Sequence, residues 1–263
     1  LAPPQNEERT LIHPQPLLEE FGNQFHPNAH PITKDITFVS DQRGNQDIYF
    51  YEARKQTISR LTQSTADDFM PSLSPDGNRI AWVSRSEDAK GDIWLIDTQG
   101  SNPIKLTNNF TQDTSPSWLS NNLLVFATQE GINSKKTNSV VLYDLVTHKA
   151  STLSNQSFSP QAQPQSEQAL FIQKDPKTNQ RTLCLYSHKN KTIHILGKVP
   201  QHTTSPFFFE TSPESQVAYL GATVFNSDTN NDQKIDNDDL PSIYRFAVKK
   251  NKLGILTLQD PSL

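Results

Sequence analysis

The 263-residue sequence predicts an all-β protein, a β-propeller of four-stranded blades. Three observations lead there: short β-branched or aromatic runs recur in a fixed order, polar turn residues separate them, and helical periodicity is nowhere sustained. Apolar residues make up only 33% of the chain, below the usual content of globular domains even with glycine added. Thin sheets with many turns need only short apolar runs, so this composition suits repeated small sheets. The rival is disorder, but aromatic residues at 9%, spread at regular intervals, argue for a folded chain.

Four kinds of segment repeat. The first is Pro-centred: Met70-Pro71-Ser72-Leu73-Ser74-Pro75-Asp76-Gly77 and Ser115-Pro116-Ser117-Trp118, with weaker copies around Pro164 and Pro206 and the weakest near Pro31. The second is a strand-length apolar run: Ile36-Thr37-Phe38-Val39, Ile80-Ala81-Trp82-Val83, Leu124-Val125-Phe126, Leu170-Phe171-Ile172 and Val217-Ala218-Tyr219-Leu220. The third follows a polar turn and includes Asp47-Ile48-Tyr49-Phe50, Asp92-Ile93-Trp94-Leu95 and Ile243-Tyr244-Arg245-Phe246. The fourth closes on Leu61, Leu106, Leu153, Leu196 and Leu256, at intervals of 45, 47, 43 and 60 residues. Four strands in roughly 40–45 residues is the size of one propeller blade, and a blade alone would leave both faces wet.

The predicted blades are 29–62, 63–107, 108–154, 155–197 and 198–258, within a propeller spanning 29–263. Residues 1–28 read as an arm or edge strand, rich in Pro, Gln, Glu and Asn, with Thr10-Leu11-Ile12 and Leu17-Leu18 as apolar handholds. Five blades are favoured; six is the alternative, should the arm supply a strand that closes the ring.

The stretch Asp67-Asp68-Phe69-Met70-Pro71-Ser72-Leu73-Ser74-Pro75-Asp76-Gly77 through Ile80-Ala81-Trp82-Val83-Ser84, followed by Asp92-Ile93-Trp94-Leu95-Ile96-Asp97, resembles the TolB-type propeller repeat. The third unit keeps Asp113, Pro116 and Trp118 but has Ser120-Asn121-Asn122 in place of the Pro-Asp-Gly turn. The resemblance covers roughly residues 29–258 and implies the fold. It implies function only coarsely, because the family spans envelope scaffolds, peptidase gating domains and lyases.

The long last unit carries an insertion between its second and third strands, Asp228 to Asp239. It resembles an EF-hand or dockerin calcium loop, with ligands expected from Asp228, Asn230, Asp232, Asp236 and Asp239 and from the Lys234 carbonyl. Alternate residues of such a loop can turn enough oxygens inward for a hard Ca2+ ion. Two departures stand out: Gln233 replaces the usual turn glycine, and Asp239 replaces the longer Glu. Without a cation the five carboxylates of this loop would repel one another; the alternative is a solvated acidic turn.

No G-x-S-x-G, H-E-x-x-H, P-loop or C-x-x-C pattern occurs. Net charge is -4, from 24 basic and 28 acidic residues, so no global field would hold nucleic acid. No apolar run approaches the length of a membrane span. Cys184, in Thr182-Leu183-Cys184-Leu185-Tyr186, reads as a buried small hydrophobe. Asp113 and the pair Asp67-Asp68 read as residues that order the turns leading into blades. Phe207-Phe208-Phe209 reads as core between blades, with an exposed binding patch as the alternative. His26, His30 and His202 precede inner-strand segments; they read as loop histidines, and their convergence in an axial funnel would instead suit a metal-dependent lyase.

The expected function is a non-enzymatic propeller that binds protein partners, as a cell-envelope scaffold or a subunit of a larger assembly. The expected cofactor is Ca2+. A chain that starts at Leu1 reads as processed, and with the resemblance suggests a periplasmic or extracellular location. The alternative is a lyase-, hydrolase- or glycan-binding propeller that uses the funnel.

Overall fold

The computed structural model describes residues 22–131, 136–208, 218–224, 242–249 and 252–256. Among them lie five four-stranded antiparallel sheets, each a meander in which strands pair in chain order. The first holds β1 (Gln24–Ala29), β2 (Ile36–Ser40), β3 (Asp47–Glu52) and β4 (Thr57–Arg60). The second holds β5 (Asp68–Leu73), β6 (Arg79–Ser84), β7 (Asp92–Asp97) and β8 (Ile104–Lys105). The third holds β9 (Gln112–Ser120), β10 (Leu123–Glu130), β11 (Thr137–Asp144) and β12 (Lys149–Asn155). The fourth holds β13 (Ser157–Gln163), β14 (Gln168–Lys174), β15 (Arg181–Ser187) and β16 (Thr192–Val199). The fifth holds β17 (Thr203–Phe208), β18 (Ala218–Val224), β19 (Ser242–Lys249) and β20 (Lys252–Leu256). The innermost strand of the first sheet thus starts at Gln24, and that sheet takes in residues which the sequence alone assigns to the arm.

The first strands β1, β5, β9, β13 and β17 lie side by side in that order, so successive sheets pack face to face. Among the described strands, the fifth and first sheets make no comparable contact. This packing explains why the second and third strands are continuous apolar runs: both faces are covered. In β10, Leu124 and Phe126 enter the core shared with the first and second sheets. Val125 between them packs with Ala162, Phe171, Cys184 and Tyr186 of the fourth. In β14, Phe171 faces the third sheet while Leu170 and Ile172 pack with Leu196, Val199 and Ala222. Each fully buried side chain of this size contributes about 1.5–3 kcal/mol as an upper bound. Outer strands such as β12 and β16 are mostly exposed, which accounts for the low apolar content.

A backbone irregularity recurs in every innermost strand. His26, Met70, Ser115, Ser159 and Ser205 sit at φ of 47°, 52°, 55°, 51° and 42°. Each precedes a proline: Pro27, Pro71, Pro116, Pro160 and Pro206. At each, the register against the second strand shifts. Proline has no N–H to give the ladder, so it belongs at a bulge. The prolines are spaced 44, 45, 44 and 46 residues apart, more evenly than the closing leucines. By sequence alone the first and fourth copies of the repeat fall near Pro31 and Pro164; the structure puts Pro31 in the turn after β1 and Pro164 at the start of a short 3-10 turn.

A left-handed backbone is costly for a β-branched residue and free for glycine. Ser205 is exposed, so substitution there isolates the backbone effect. Ser205→Val is expected to be about 1–2 kcal/mol less stable than Ser205→Gly in urea unfolding. Equal stabilities would show that the position carries no conformational demand.

Candidate functional site

The residue after each inner-strand proline controls the axis of the ring. Asn28, Ser72, Ser117 and Gln161 occupy that position in the first four sheets. All four line two adjoining cavities, of about 300 and 220 Å³, enclosed by β1, β5, β9 and β13. These cavities form the axial channel, and the four side chains form its shared wall.

The same residues tie neighbouring sheets together. Asn28 Oδ1 accepts from the Leu73 N–H at 2.9 Å, and Ser117 Oγ accepts from the Ala162 N–H at 2.9 Å. Trp118 Nε1 donates to the Ser72 carbonyl at 2.9 Å. Each bond spans one repeat, 45 or 46 residues. Breaking one leaves a buried polar group unpaired, which costs about 1–3 kcal/mol.

His30 is buried at the channel mouth and fully used. Its Nε2 is 2.9 Å from the Pro75 carbonyl, while Nδ1 accepts from the Thr33 N–H at 3.1 Å. Those partners fix the proton on Nε2 and latch the first sheet to the second. His26 opens onto the second cavity, where the surrounding walls desolvate it and lower its pKa. His202 lies in the turn before β17 and lines neither axial cavity. The structure therefore does not bring His26, His30 and His202 together. Among the described residues, no group of three or more His, Cys, Asp or Glu side chains could hold a metal ion. The calcium-type loop, with Asp228, Asn230, Asp232, Lys234, Asp236 and Asp239, lies outside the described residues.

Buried carboxylates sit at the starts of strands, away from the axial cavities. Asp47 pairs with Arg60 at 2.7 Å, and at the equivalent position Asp92 pairs with Lys105 at 2.9 Å. Burial raises the Asp47 pKa although Arg60 opposes it. Asp68 accepts from Trp82 Nε1 at 3.1 Å, and Asp113 from Thr111 Oγ1 at 2.9 Å; burial raises both pKa values. Neither has an ion-pair partner among the described residues. Asp68 and Asp113 bond within the turns leading into the second and third sheets, as expected from the sequence, while Asp47 and Asp92 start third strands. Cys184 is fully buried, and its thiol is pushed up to about 11 by desolvation, consistent with a packing role. Phe208 packs with the core between the fourth and fifth sheets, while Phe209 lies outside the described residues.

A third cavity, about 390 Å³, is lined by residues of the third and fourth sheets and by Thr204 of the fifth. Lys174 and Arg181 belong to its wall, together with hydroxyls and amides including Thr128, Gln129 and Asn138. Nothing in the sequence pattern flagged this pair, since it appears only once β14 and β15 are in register.

Radially packed four-stranded sheets around a central channel define a β-propeller. The chain belongs to the TolB beta propeller domain family, whose model matches residues 15–206. The Tol-Pal system protein TolB of Anaeromyxobacter dehalogenans (strain 2CP-C) is 31% identical over 104 residues, 40% of this chain and 24% of that protein. The match thus spans about a quarter of the curated relative's length. TolB from Acinetobacter baumannii superposes with a TM-score of 0.58 at 16% identity, covering 81% of this chain and 54% of the other. An oligogalacturonate lyase in complex with manganese gives 0.56 at 12%, covering 90% and 74%. At such identities the structural matches show the fold alone.

Ser117→Ala removes the acceptor of the Ala162 N–H and is expected to cost about 1–3 kcal/mol in chemical unfolding; a loss within experimental error would mean the bond carries no weight. For Asp113, the raised folded-state pKa means that the folded protein holds this proton to higher pH than the unfolded chain. Its contribution is therefore complete below the ordinary carboxylate range and lost as pH rises through the folded value. Asp113→Asn is expected to gain melting temperature relative to wild type between pH 3 and 7. A difference that stays constant with pH would contradict this.

Proposed function

We propose that this propeller is a non-enzymatic scaffold that binds protein partners outside the cytoplasm, with a structural calcium site at residues 228–239. The observation that carries the binding role is the chemistry of the axial channel. Its shared wall presents amide and hydroxyl side chains, and His30 at its mouth has both nitrogens engaged in structural hydrogen bonds. Such a wall suits recognition of peptide groups, and His26, the one titratable side chain among the described residues lining the second cavity, has no second acid or base beside it there for proton transfer. Family membership and the Tol-Pal naming of the relatives support a place in a cell-envelope assembly. No helix among the described residues is long and apolar enough to cross a membrane.

The ring is proposed to hold five blades. The Phe38–Tyr49 stack, with ring centroids 5.6 Å apart, alternates with residues that face the second sheet, yet both side chains are buried. That outer face is therefore covered, and five sheets with their inner strands side by side support the number.

Three experiments test this reading. Cross-linking in bacterial envelope extracts is expected to trap a protein partner on the wild type and lose it when Gln161→Trp fills the channel. Turnover of a polysaccharide or peptide by the purified chain would overturn the non-enzymatic reading. Calcium is expected to raise the melting temperature and chelator to lower it, by about 2.7 kcal/mol of stability at a hundredfold excess over Kd. Asp232→Asn with Asp236→Asn is expected to abolish the response; identical wild-type curves with calcium and with chelator would sink the calcium site.

A further inference from the structure

Lys174 and Arg181 are direct cross-strand partners on β14 and β15. Like charges in that relation repel. Both side chains are half-buried and both line the 390 Å³ cavity. Burial lowers the Arg181 pKa, and no neighbouring carboxylate opposes it. Arg181 donates to the Thr203 carbonyl and lies over the Phe158 ring, 5.0 Å from its centroid. Neither cation has a carboxylate partner among the described residues.

Two nearby acids are engaged elsewhere. Asp175, next in sequence to Lys174, accepts from the Lys177 and Thr178 N–H groups and so closes its own turn. Asp113 is held by Thr111 and Asn109. Among the described residues, no acidic residue lines the cavity. The contrast with the first two sheets is direct, since Arg60 and Lys105 each have a buried aspartate. Two partly desolvated cations side by side are stabilised by an anion placed between them, and a guanidinium with an ammonium suits a carboxylate. The same wall holds Thr204, Thr128, whose hydroxyl donates to Thr111, and Gln129, whose amide donates to Asn138.

We propose that this cavity is a carboxylate-binding site. The carboxylate is either an acidic side chain of a bound protein segment or a free small acid. In the first case the site rests on the protein-binding reading above and supplies part of its specificity; in the second it stands without that reading.

The test uses the whole chain and two matched probe pairs in calorimetric titration. One pair is a blocked pentapeptide with a central glutamate and the same peptide with glutamine. The other is glutarate and its neutral diamide. At least one acidic probe is expected to bind ten times more tightly than its neutral counterpart. Binding is expected to weaken at least tenfold in Lys174→Gln and in Arg181→Gln. Because Arg181 also supports the fold, Lys174→Gln is the decisive variant, and relief of repulsion is expected to raise its melting temperature without ligand. Preference for the peptide assigns the site to a protein partner, and preference for glutarate assigns it to a small acid. The proposal is overturned if neither acid binds, if acid and amide bind alike, or if Lys174→Gln binds as wild type. Loss of peptide binding on Gln161→Trp with Lys174→Gln unaffected would overturn this site while leaving the protein-binding reading intact.

Discussion

A left-handed residue followed by proline, once in each innermost strand, is the constraint on which the rest of the ring depends. It interrupts pairing with the second strand at the same depth in all five described sheets. The next side chain then becomes available to the neighbouring sheet instead of its own ladder. Asn28 and Ser117 use that freedom to accept a backbone N–H one repeat away, and the Ser72 carbonyl accepts an indole N–H. Local strain of about 1–3 kcal/mol per site is offset by polar satisfaction across the sheet interface.

The same geometry fixes what the axis can do. In the first four sheets the residues after the prolines are Asn, Ser, Ser and Gln, so the shared wall of the channel carries neutral hydrogen-bonding groups, while the fifth sheet has Phe207 there. Charged side chains are displaced outward, where Asp47 and Asp92 pair with Arg60 and Lys105 behind the closing Leu-Thr segments. The fourth sheet departs from this arrangement. It has Gly197 where the first two sheets have Thr62 and Thr107, and it presents Lys174 and Arg181 together with no acid between them among the described residues. That local departure from the repeat is what singles out its cavity.

Much of the fold was legible because it is written in short-range patterns. Runs such as Ile80-Ala81-Trp82-Val83 are apolar at every position since both sheet faces are covered, and their recurrence gives the sheet count among the described residues. The innermost strands were harder to place. Their His-Pro and Ser-Pro steps are polar, and Pro31 and Pro164 offered equally good local signals; the even proline spacing was the available clue. The channel wall was not legible, because Asn28, Ser72, Ser117 and Gln161 are ordinary loop-type residues until four strands converge. The histidines read as loop residues, and the sequence held no sign that His30 is buried and held by a turn and a neighbouring carbonyl.

Amide hydrogen exchange at Leu73 and Ala162 tests most directly whether the inner-strand ring holds the sheets together. Both amides flank a proline bulge and would exchange quickly if the bulge were merely a defect. The account predicts that they exchange through global unfolding, with protection matching that of Ile80 and Phe171 in the fully buried strands. Exchange as fast as at the exposed turns between strands would contradict it.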